Sequence, residues 1–216
     1  MVTLQTLRLD RILCRMSLMA RLLNVLYTVQ QMRYLAQHMD QIQMADDRNY
    51  LAFHLFHPFR LEEVLGLRWE DIDFENGMIH IRNTVTHPDR NRPLFREKTK
   101  TDESRRDIAL VRQIRQFLTV GGPKDFVVGR ANPMSYTQVQ HMCRRIRKDV
   151  GFEENITPLR FRTTVLTDIY DRTKDIKQTQ AAAGHTTAAM TLKSYIKGRG
   201  ENDDAVDAIA SAYGLL

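Results

Sequence analysis

One stretch of the sequence, residues 72–85, constrains the fold most, because the apolar residues change their spacing there. Residues 78–82 alternate apolar and polar side chains, which is typical of a strand with one buried face. Glu75-Asn76-Gly77 comes directly before them and supplies a turn. The flanking segments keep a helical spacing. We therefore predict an α+β fold that is mostly α, with a small antiparallel β-sheet.

More of the sheet is expected after this hairpin. A polar loop at residues 87–93 precedes two candidate strands, at residues 95–99 and 106–110. Residues 100–104 would form the turn between these two strands. Lys100 would then project from the tip of a hairpin.

Capping and breaking residues predict where the main helices begin and end. Ser, Thr and Asp side chains at a helix start accept hydrogen bonds from free N–H groups of the first turn. Pro58 and Gly184 are stop signals, since proline cannot continue a helix and glycine adopts positive φ at its end. Residues 111–118 have helical spacing as well. The predicted helix starts are Asp46 or Asp47, Ser135, Thr157-Pro158 and Asp175.

The composition is that of a globular, positively charged protein. Its 216 residues carry 32 Lys and Arg against 26 Asp and Glu, a net charge of +6. The excess is concentrated in residues 90–115, which favours an anionic partner such as nucleic acid. Cys14 and Cys143 form no disulfide or zinc pattern, and no apolar run reaches membrane-spanning length. We expect a cytoplasmic protein with no membrane partner.

The chain shows no repeats, low-complexity tract or flexible linker. Residues 1–45 are expected to form a helical N-terminal segment, as a remnant of another domain or a linker from it. Residues 46–216 are expected to form a single domain.

Five side chains in this domain suit the transfer of a phosphodiester. Arginine forks bind phosphate oxygens and stabilise the charge of the transition state. A tyrosine hydroxyl can attack phosphorus once a positive field lowers its pKa, and a lysine can protonate the leaving hydroxyl. No acidic metal cluster or phosphate-binding glycine loop accompanies them, so we expect no cofactor and no metal. The candidates are Arg60, Lys100, Arg162, His185 and Tyr195.

Four ordered motifs contain these candidates, and together they resemble the catalytic domain of tyrosine recombinases of the phage integrase family. The segment that begins Arg60-Leu61-Glu62-Glu63 resembles the first-arginine box, and Lys100-Thr101-Asp102-Glu103-Ser104-Arg105-Arg106 resembles the β-hairpin lysine motif. Thr157-Pro158-Leu159-Arg160-Phe161-Arg162 resembles the second-arginine box, and Gly184-His185 through Tyr195 resembles the terminal histidine and nucleophile.

The resemblance implies a helical integrase-type catalytic domain that cleaves and rejoins DNA without metal, through a 3'-phosphotyrosyl intermediate. It implies phosphate clamps at Arg60 and Arg162, a general acid at Lys100, a hydrogen-bond donor at His185 and a nucleophile at Tyr195. Double-stranded DNA and self-association into a synaptic multimer are the implied partners. Lys98 is the alternative lysine; Tyr170 and Tyr213 are alternative tyrosines without motif support.

Three features depart from the family pattern. Leu159 stands where the second-arginine box usually has a histidine, and Arg160 cannot replace it because it lies about 200° from Arg162 around a helix. His57-Pro58-Phe59 replaces a glycine turn, and residues 1–45 are too few for the usual core-binding domain. Two alternatives to an active recombinase stay open. The departures indicate a catalytically impaired DNA-binding remnant of a prophage or mobile element, and a type IB topoisomerase-like enzyme would share the same chemistry.

Overall fold

The computed structural model describes residues 26–97 and 105–185. Several predicted features lie outside the described residues: Lys98, Lys100, the predicted turn at 100–104, Tyr195 and Tyr213.

Helices make up about half of the described residues and small antiparallel sheets most of the remaining regular structure, which agrees with the predicted α+β class. No helix of the described residues is long and apolar enough to cross a membrane. The α-helices are α1 (Val29–Gln37), α2 (Ala45–Phe56), α3 (Leu61–Gly66), α4 (Tyr136–Asp149), α5 (Pro158–Thr173) and α6 (Ile176–Ala183), and short 3₁₀ helices lie at Met39–Gln41, Trp69–Asp71 and Arg112–Phe117.

Helix α2 is the centre of the domain. Apolar and polar side chains on nearly all of its sides are buried, including Tyr50, Leu51, Phe53 and the uncharged polar Asn49. A helix that is buried all round must be covered on every side. Helices α1, α3, α4 and α5 pack against it and enclose the core.

The predicted caps are confirmed for three helices. Ser135 accepts from Gln138 N, and Thr157 accepts from Arg160 N with Pro158 in the first turn of α5. Asp175 accepts from two N–H groups of α6, and Gly184 ends that helix at φ 59°.

One predicted cap is wrong. Helix α2 begins one residue before Asp46, with Met44 as its N-cap, so neither Asp46 nor Asp47 is a cap. Asp47 is buried instead, and it accepts two hydrogen bonds from Arg145 of α4, at 2.7 and 2.8 Å. The segment predicted to be helical at 111–118 is a 3₁₀ helix, Arg112–Phe117.

The strands form two small antiparallel sheets. The predicted hairpin is present, with strands β1 (Ile72–Asp73) and β2 (Met78–Ile81) joined through Gly77 at φ 69°. Strand β5 (Arg106–Ala109) pairs with the other edge of β2, and β3 (Asn83–Asp89) pairs with β4 (Arg92–Glu97) in a second sheet.

The pairing predicted for the later strands is wrong. Residues 95–97 belong to β4 and pair with β3, and not with β5. The expected polar loop at 87–93 is mostly strand, with a tight turn around residues 90 and 91. The sequence indicated β1, β2, β4 and β5 but not the whole of β3, and it does not specify which strand pairs with which.

Residues before 45 share the core with the rest of the domain. Leu35, Met39 and Ile42 are buried in it. The Tyr27 hydroxyl donates to Asn155 O at 2.7 Å and accepts from Thr157 N at 3.1 Å, so it fastens the start of the described chain to the start of α5. The division of the chain at residue 45 stays a prediction.

Asn49 holds two loops against α2. Its Nδ2 donates to Thr119 O and Val127 O, at 3.1 and 3.0 Å, and its Oδ1 accepts from Thr119 N at 3.0 Å. The side chain is 2% exposed. Loss of these bonds would remove a partner from the buried carbonyl of Val127 and from two partly buried backbone groups of Thr119.

We expect Asn49→Ala to lower the free energy of unfolding by about 2 to 4 kcal/mol, because each buried polar group left unpaired costs about 1 to 3 kcal/mol. Urea denaturation at neutral pH measures this loss. Asn91→Ala is the matched control: Asn91 is exposed and accepts one hydrogen bond, from Thr137. Equal losses in the two variants would contradict the structural role of Asn49.

Candidate active site

Arg60 lies where the sequence predicted it, between the end of α2 and the start of α3. It is the N-cap of α3, and its backbone N–H donates to Glu63 Oε2 at 2.8 Å. Its Nη1 donates to Glu63 Oε1 at 2.8 Å, and its Nη2 donates to Gly184 O at 3.1 Å. The Arg60 side chain is 38% exposed, so a ligand can reach the guanidinium group.

The connection before Arg60 is buried, although it lacks the glycine turn. His57 Nε2 accepts from Val111 N at 3.1 Å, and its Nδ1 lies 3.2 Å from Phe53 O. Burial lowers the pKa of His57 to about 4, so the ring is neutral at pH 7 and can accept this bond. The side chain thereby fixes the backbone that leads into Arg60.

Arg162 lies in the second turn of α5 and is 8% exposed. Its Nη1 donates to Pro58 O, its Nη2 donates to Ala183 O at 2.8 Å, and the same Nη2 lies 3.2 Å from His185 Nε2. A guanidinium group has five N–H donors, and the contacts with described residues use three of them. Burial, and then the nearby charge of Arg60, lower the pKa of Arg162 to about 10; the group stays charged at neutral pH.

His185 follows Gly184 at the end of α6. Its backbone N–H donates to Gln180 O at 3.2 Å, and its carbonyl accepts from Gln180 Nε2 at 3.1 Å. Arginine is always a donor, so the contact with Arg162 assigns His185 Nε2 as the acceptor and places the ring proton on Nδ1. Burial, and then the charges of Arg162, Arg60 and Arg106, hold the pKa of His185 below its ordinary value.

Arg106 is a member of this cluster that the sequence analysis did not single out. Its Nη1 and Nη2 donate to Glu63 Oε1 and Oε2, at 2.8 and 2.9 Å. Arg106 begins β5 and shares the partly buried face of that strand with Ile108. A charged residue on the inward face of a strand was the available signal, because side chains alternate along a strand.

The cluster carries an excess of positive charge. Arg60, Arg106 and Arg162 lie around the single carboxylate of Glu63, counted over the residues that the structure describes. Burial alone would raise the pKa of Glu63, but hydrogen bonds and charge from Arg106, and then Arg60, lower it to about 2. A site with fixed guanidinium groups and a neutral histidine suits a bound phosphate.

Leu159 and Arg160 lie in the first turn of α5 and point in different directions. Leu159 is 72% exposed, three residues before Arg162. Arg160 turns away from the cluster, donating to Glu154 Oε2 at 2.8 Å and to Leu26 O at 3.0 Å. This agrees with the expectation that Arg160 does not replace the missing histidine.

Of the five predicted site residues, the structure brings Arg60, Arg162 and His185 together. Lys100 and Tyr195 lie outside the described residues, so their places in the site stay predictions. Within residues 26–97 and 105–185, no group of three His, Cys, Asp or Glu side chains could hold a metal ion.

Comparison with known proteins identifies the family. The model of the Phage integrase family matches residues 26–201. The chain belongs to the phage integrase family. This confirms the resemblance that the four motifs indicated.

Among curated relatives of this phage integrase chain, the tyrosine recombinase XerC of Thermodesulfovibrio yellowstonii is 23% identical over 152 residues. These residues are 70% of this chain and 50% of XerC. The XerC of Leptospira interrogans is 32% identical over 66 residues, or 31% of this chain and 21% of that protein. The chain therefore spans about half the length of these relatives or less.

Solved structures of integrases have the same fold as this phage integrase domain. The Tn1549 transposon integrase in complex with circular intermediate DNA superimposes with a TM-score of 0.66 at 22% identity, over 88% of this chain and 67% of that one. The catalytic domain of bacteriophage HP1 integrase gives a TM-score of 0.54 at 14% identity, over 85% and 94%. The predicted integrase-type catalytic fold is confirmed.

The low pKa of Glu63 predicts how stability depends on pH. The folded protein holds this carboxyl near a pKa of about 2, against an ordinary value of 4.5. Folding is therefore favoured above pH 4.5, and this contribution is lost as the pH falls toward 2. We expect the difference in free energy of unfolding between wild type and Glu63→Gln to be largest above pH 4.5 and to shrink below it.

Urea denaturation across this pH range measures the difference. Glu62→Gln is the matched control, because Glu62 is the exposed neighbour of Glu63 on the same turn. A difference for Glu63→Gln that stays constant from pH 7 to pH 2 would show that its carboxylate gains nothing from the two arginines.

Proposed function

We propose that the chain is the catalytic domain of a site-specific DNA recombinase, or integrase. It cleaves and rejoins DNA through a 3'-phosphotyrosyl intermediate, without a metal ion. The observation that carries the proposal is the convergence of Arg60, Arg162 and His185 from three distant parts of the chain. Membership of the phage integrase family supports the same reaction.

The geometry supports binding of one phosphate between the two arginines. Arg60 Nη2 and Arg162 Nη2 donate to Gly184 O and Ala183 O, which are successive carbonyl groups at the end of α6. Both guanidinium groups are therefore anchored beside the same turn, with His185 next to Arg162. Preorganised donors of this kind stabilise charge in a transition state without having to reorient.

The remaining steps are assigned to the two residues outside the described structure. Tyr195 attacks the phosphorus and displaces the 5'-hydroxyl of the next nucleotide, and Lys100 protonates that leaving oxygen. Attack by the freed hydroxyl on the phosphotyrosyl bond rejoins a strand and returns the tyrosine, so no ATP is consumed. The two arginines hold the non-bridging oxygens throughout.

Leu159 favours a second candidate, a catalytically impaired DNA-binding remnant of a prophage or mobile element. An exposed leucine can neither take nor give a proton, and it occupies the place of the expected histidine. In an active enzyme, the proton of Tyr195 then passes to His185, to water or to the DNA. The two candidates differ in turnover and not in fold.

Double-stranded DNA is the proposed partner, with self-association into a synaptic multimer on DNA and a cytoplasmic, nucleoid-associated location. The net charge of +6 and the DNA complexes of the Tn1549 integrase support DNA as the ligand. Phosphate contacts should dominate the affinity, so binding is expected to weaken steeply with salt.

Covalent trapping tests the proposed nucleophile. We expect the protein to form an adduct with nicked suicide duplexes that carry candidate attachment sequences, in buffer with EDTA. Tyr195→Phe should abolish the adduct, because the ring then lacks the attacking oxygen. Denaturing gel electrophoresis with labelled DNA measures it.

Tyr170→Phe is the matched control for this experiment and should form the adduct like wild type. An adduct that persists in Tyr195→Phe would contradict the assigned nucleophile. Salt-sensitive DNA binding with no adduct in any variant would favour the impaired remnant.

A histidine at position 159 should speed cleavage. General-base assistance contributes about 100- to 10,000-fold in enzymes, so we expect Leu159→His to raise the rate of adduct formation by at least roughly tenfold. The change should cost little stability, because Leu159 is 72% exposed. Single-turnover cleavage measures the rate, with Leu159→Gln as the polar control that cannot titrate. Equal rates for the two variants would mean that position 159 takes no part in proton transfer.

A further inference from the structure

Arg106 contacts two parts of the site, the carboxylate of Glu63 and the turn at Gly184. Each Glu63 oxygen accepts one hydrogen bond from Arg106 and one from Arg60. The Glu63 side chain is 1% exposed and that of Arg106 is 12% exposed. The fork of Arg106 therefore fixes the plane of a carboxylate that in turn holds Arg60.

The same guanidinium group also packs against Gly184. A Cβ atom on Gly184 would lie 2.6 Å from Arg106 Nη1 and 2.7 Å from its Cζ, so a larger residue at this position would displace the Arg106 guanidinium group. Gly184 in turn accepts from Arg60 Nη2 and carries His185 as the next residue. Contacts thus close a ring through Arg60, Glu63, Arg106 and Gly184.

Stability alone explains this arrangement poorly. The Nε of Arg106 is buried and has no hydrogen-bond partner within the described residues. An unpaired buried donor costs free energy, and buried ion pairs often stabilise no more than well-packed apolar residues of the same size. The arrangement is better explained by a role in orienting Arg60 and the turn that carries His185.

We propose that Arg106 is a positioning residue. Its two hydrogen bonds to Glu63 and its contact with Gly184 fix Arg60 relative to the turn at Gly184-His185. The role in catalysis rests on the proposed recombinase function, but the positioning itself does not. Arg106 approaches the site from the sheet, whereas Arg60 and His185 lie at ends of helices. It thereby links the sheet to the helical part of the site.

Two substitutions at position 106 distinguish the effect of the positive charge from that of the paired hydrogen bonds to Glu63. Arg106→Lys keeps the positive charge but loses the paired donors of the guanidinium group, and Arg106→Met keeps an unbranched apolar stem and loses both. Arg172→Met is the control, since Arg172 is exposed on α5 and pairs with Asp168 one turn away. Thermal melting first establishes that each variant is folded.

Hydrogen–deuterium exchange followed by mass spectrometry tests the positioning without DNA. We expect both Arg106 variants to exchange several-fold faster than wild type in peptides covering α6 and His185, where the amides of Gly184 and His185 are hydrogen-bonded. Peptides covering α4 should be unchanged, and Arg172→Met should match wild type throughout. Unchanged exchange at residues 176–185 in the folded Arg106 variants would overturn the proposal.

Cleavage of the suicide duplex tests the consequence for catalysis. We expect both Arg106 variants to lose about 100-fold in the rate of adduct formation at saturating DNA, as small misplacements of catalytic groups do, with the Kd for DNA within about threefold of wild type. Arg106→Lys cleaving as fast as wild type would overturn the role of the fork. If wild type forms no adduct, the proposed function fails, while the exchange experiment still decides the positioning.

Discussion

Glu63 carries a negative charge where water is almost excluded, and hydrogen bonds from Arg60 and Arg106 surround both of its oxygens. A buried charge without partners would be strongly unfavourable, so the carboxylate and the two arginines depend on one another. Loss of either kind of group would leave an uncompensated charge in the site. This coupling decides the shape of the site. It places one guanidinium group at the surface, where a phosphate can reach it, and keeps the other out of solvent as a support.

The rest of the domain holds the chain segments that bring these groups together. Helix α2 occupies the centre, and the buried connection after it leads directly into Arg60. Tyr27 and the Thr157 cap fix the start of α5, from which Arg162 reaches Pro58 O and Ala183 O. Apart from Arg106 on β5, the site therefore lies near helix ends, where backbone carbonyls are free to accept from arginine. Rigid elements position these ends more precisely than a loop would.

The charges of the site suit an anion. Its positions on α5 differ in burial, since Arg162 is buried and Leu159 is exposed. Arg162 is buried and its guanidinium group is hydrogen-bonded, whereas Leu159, three residues earlier on the same helix, faces solvent. An apolar side chain at that position can neither take nor give a proton. Membership of the phage integrase family by itself specifies the fold rather than the rate.

The sequence by itself determined the features that depend on neighbouring residues. Ser135, Thr157 and Asp175 cap helices through bonds to N–H groups two or three residues away, and the motifs around Arg60, Arg162 and His185 indicated the family. Only the tertiary structure decided the features that depend on distant residues. Asp47 pairs with Arg145 instead of capping α2, β4 pairs with β3, and Arg106 joins Glu63 across 43 positions. Local hydrogen bonds are fixed by spacing along the chain, whereas a buried ion pair or a strand partner is selected by packing in three dimensions, which no single stretch of sequence specifies.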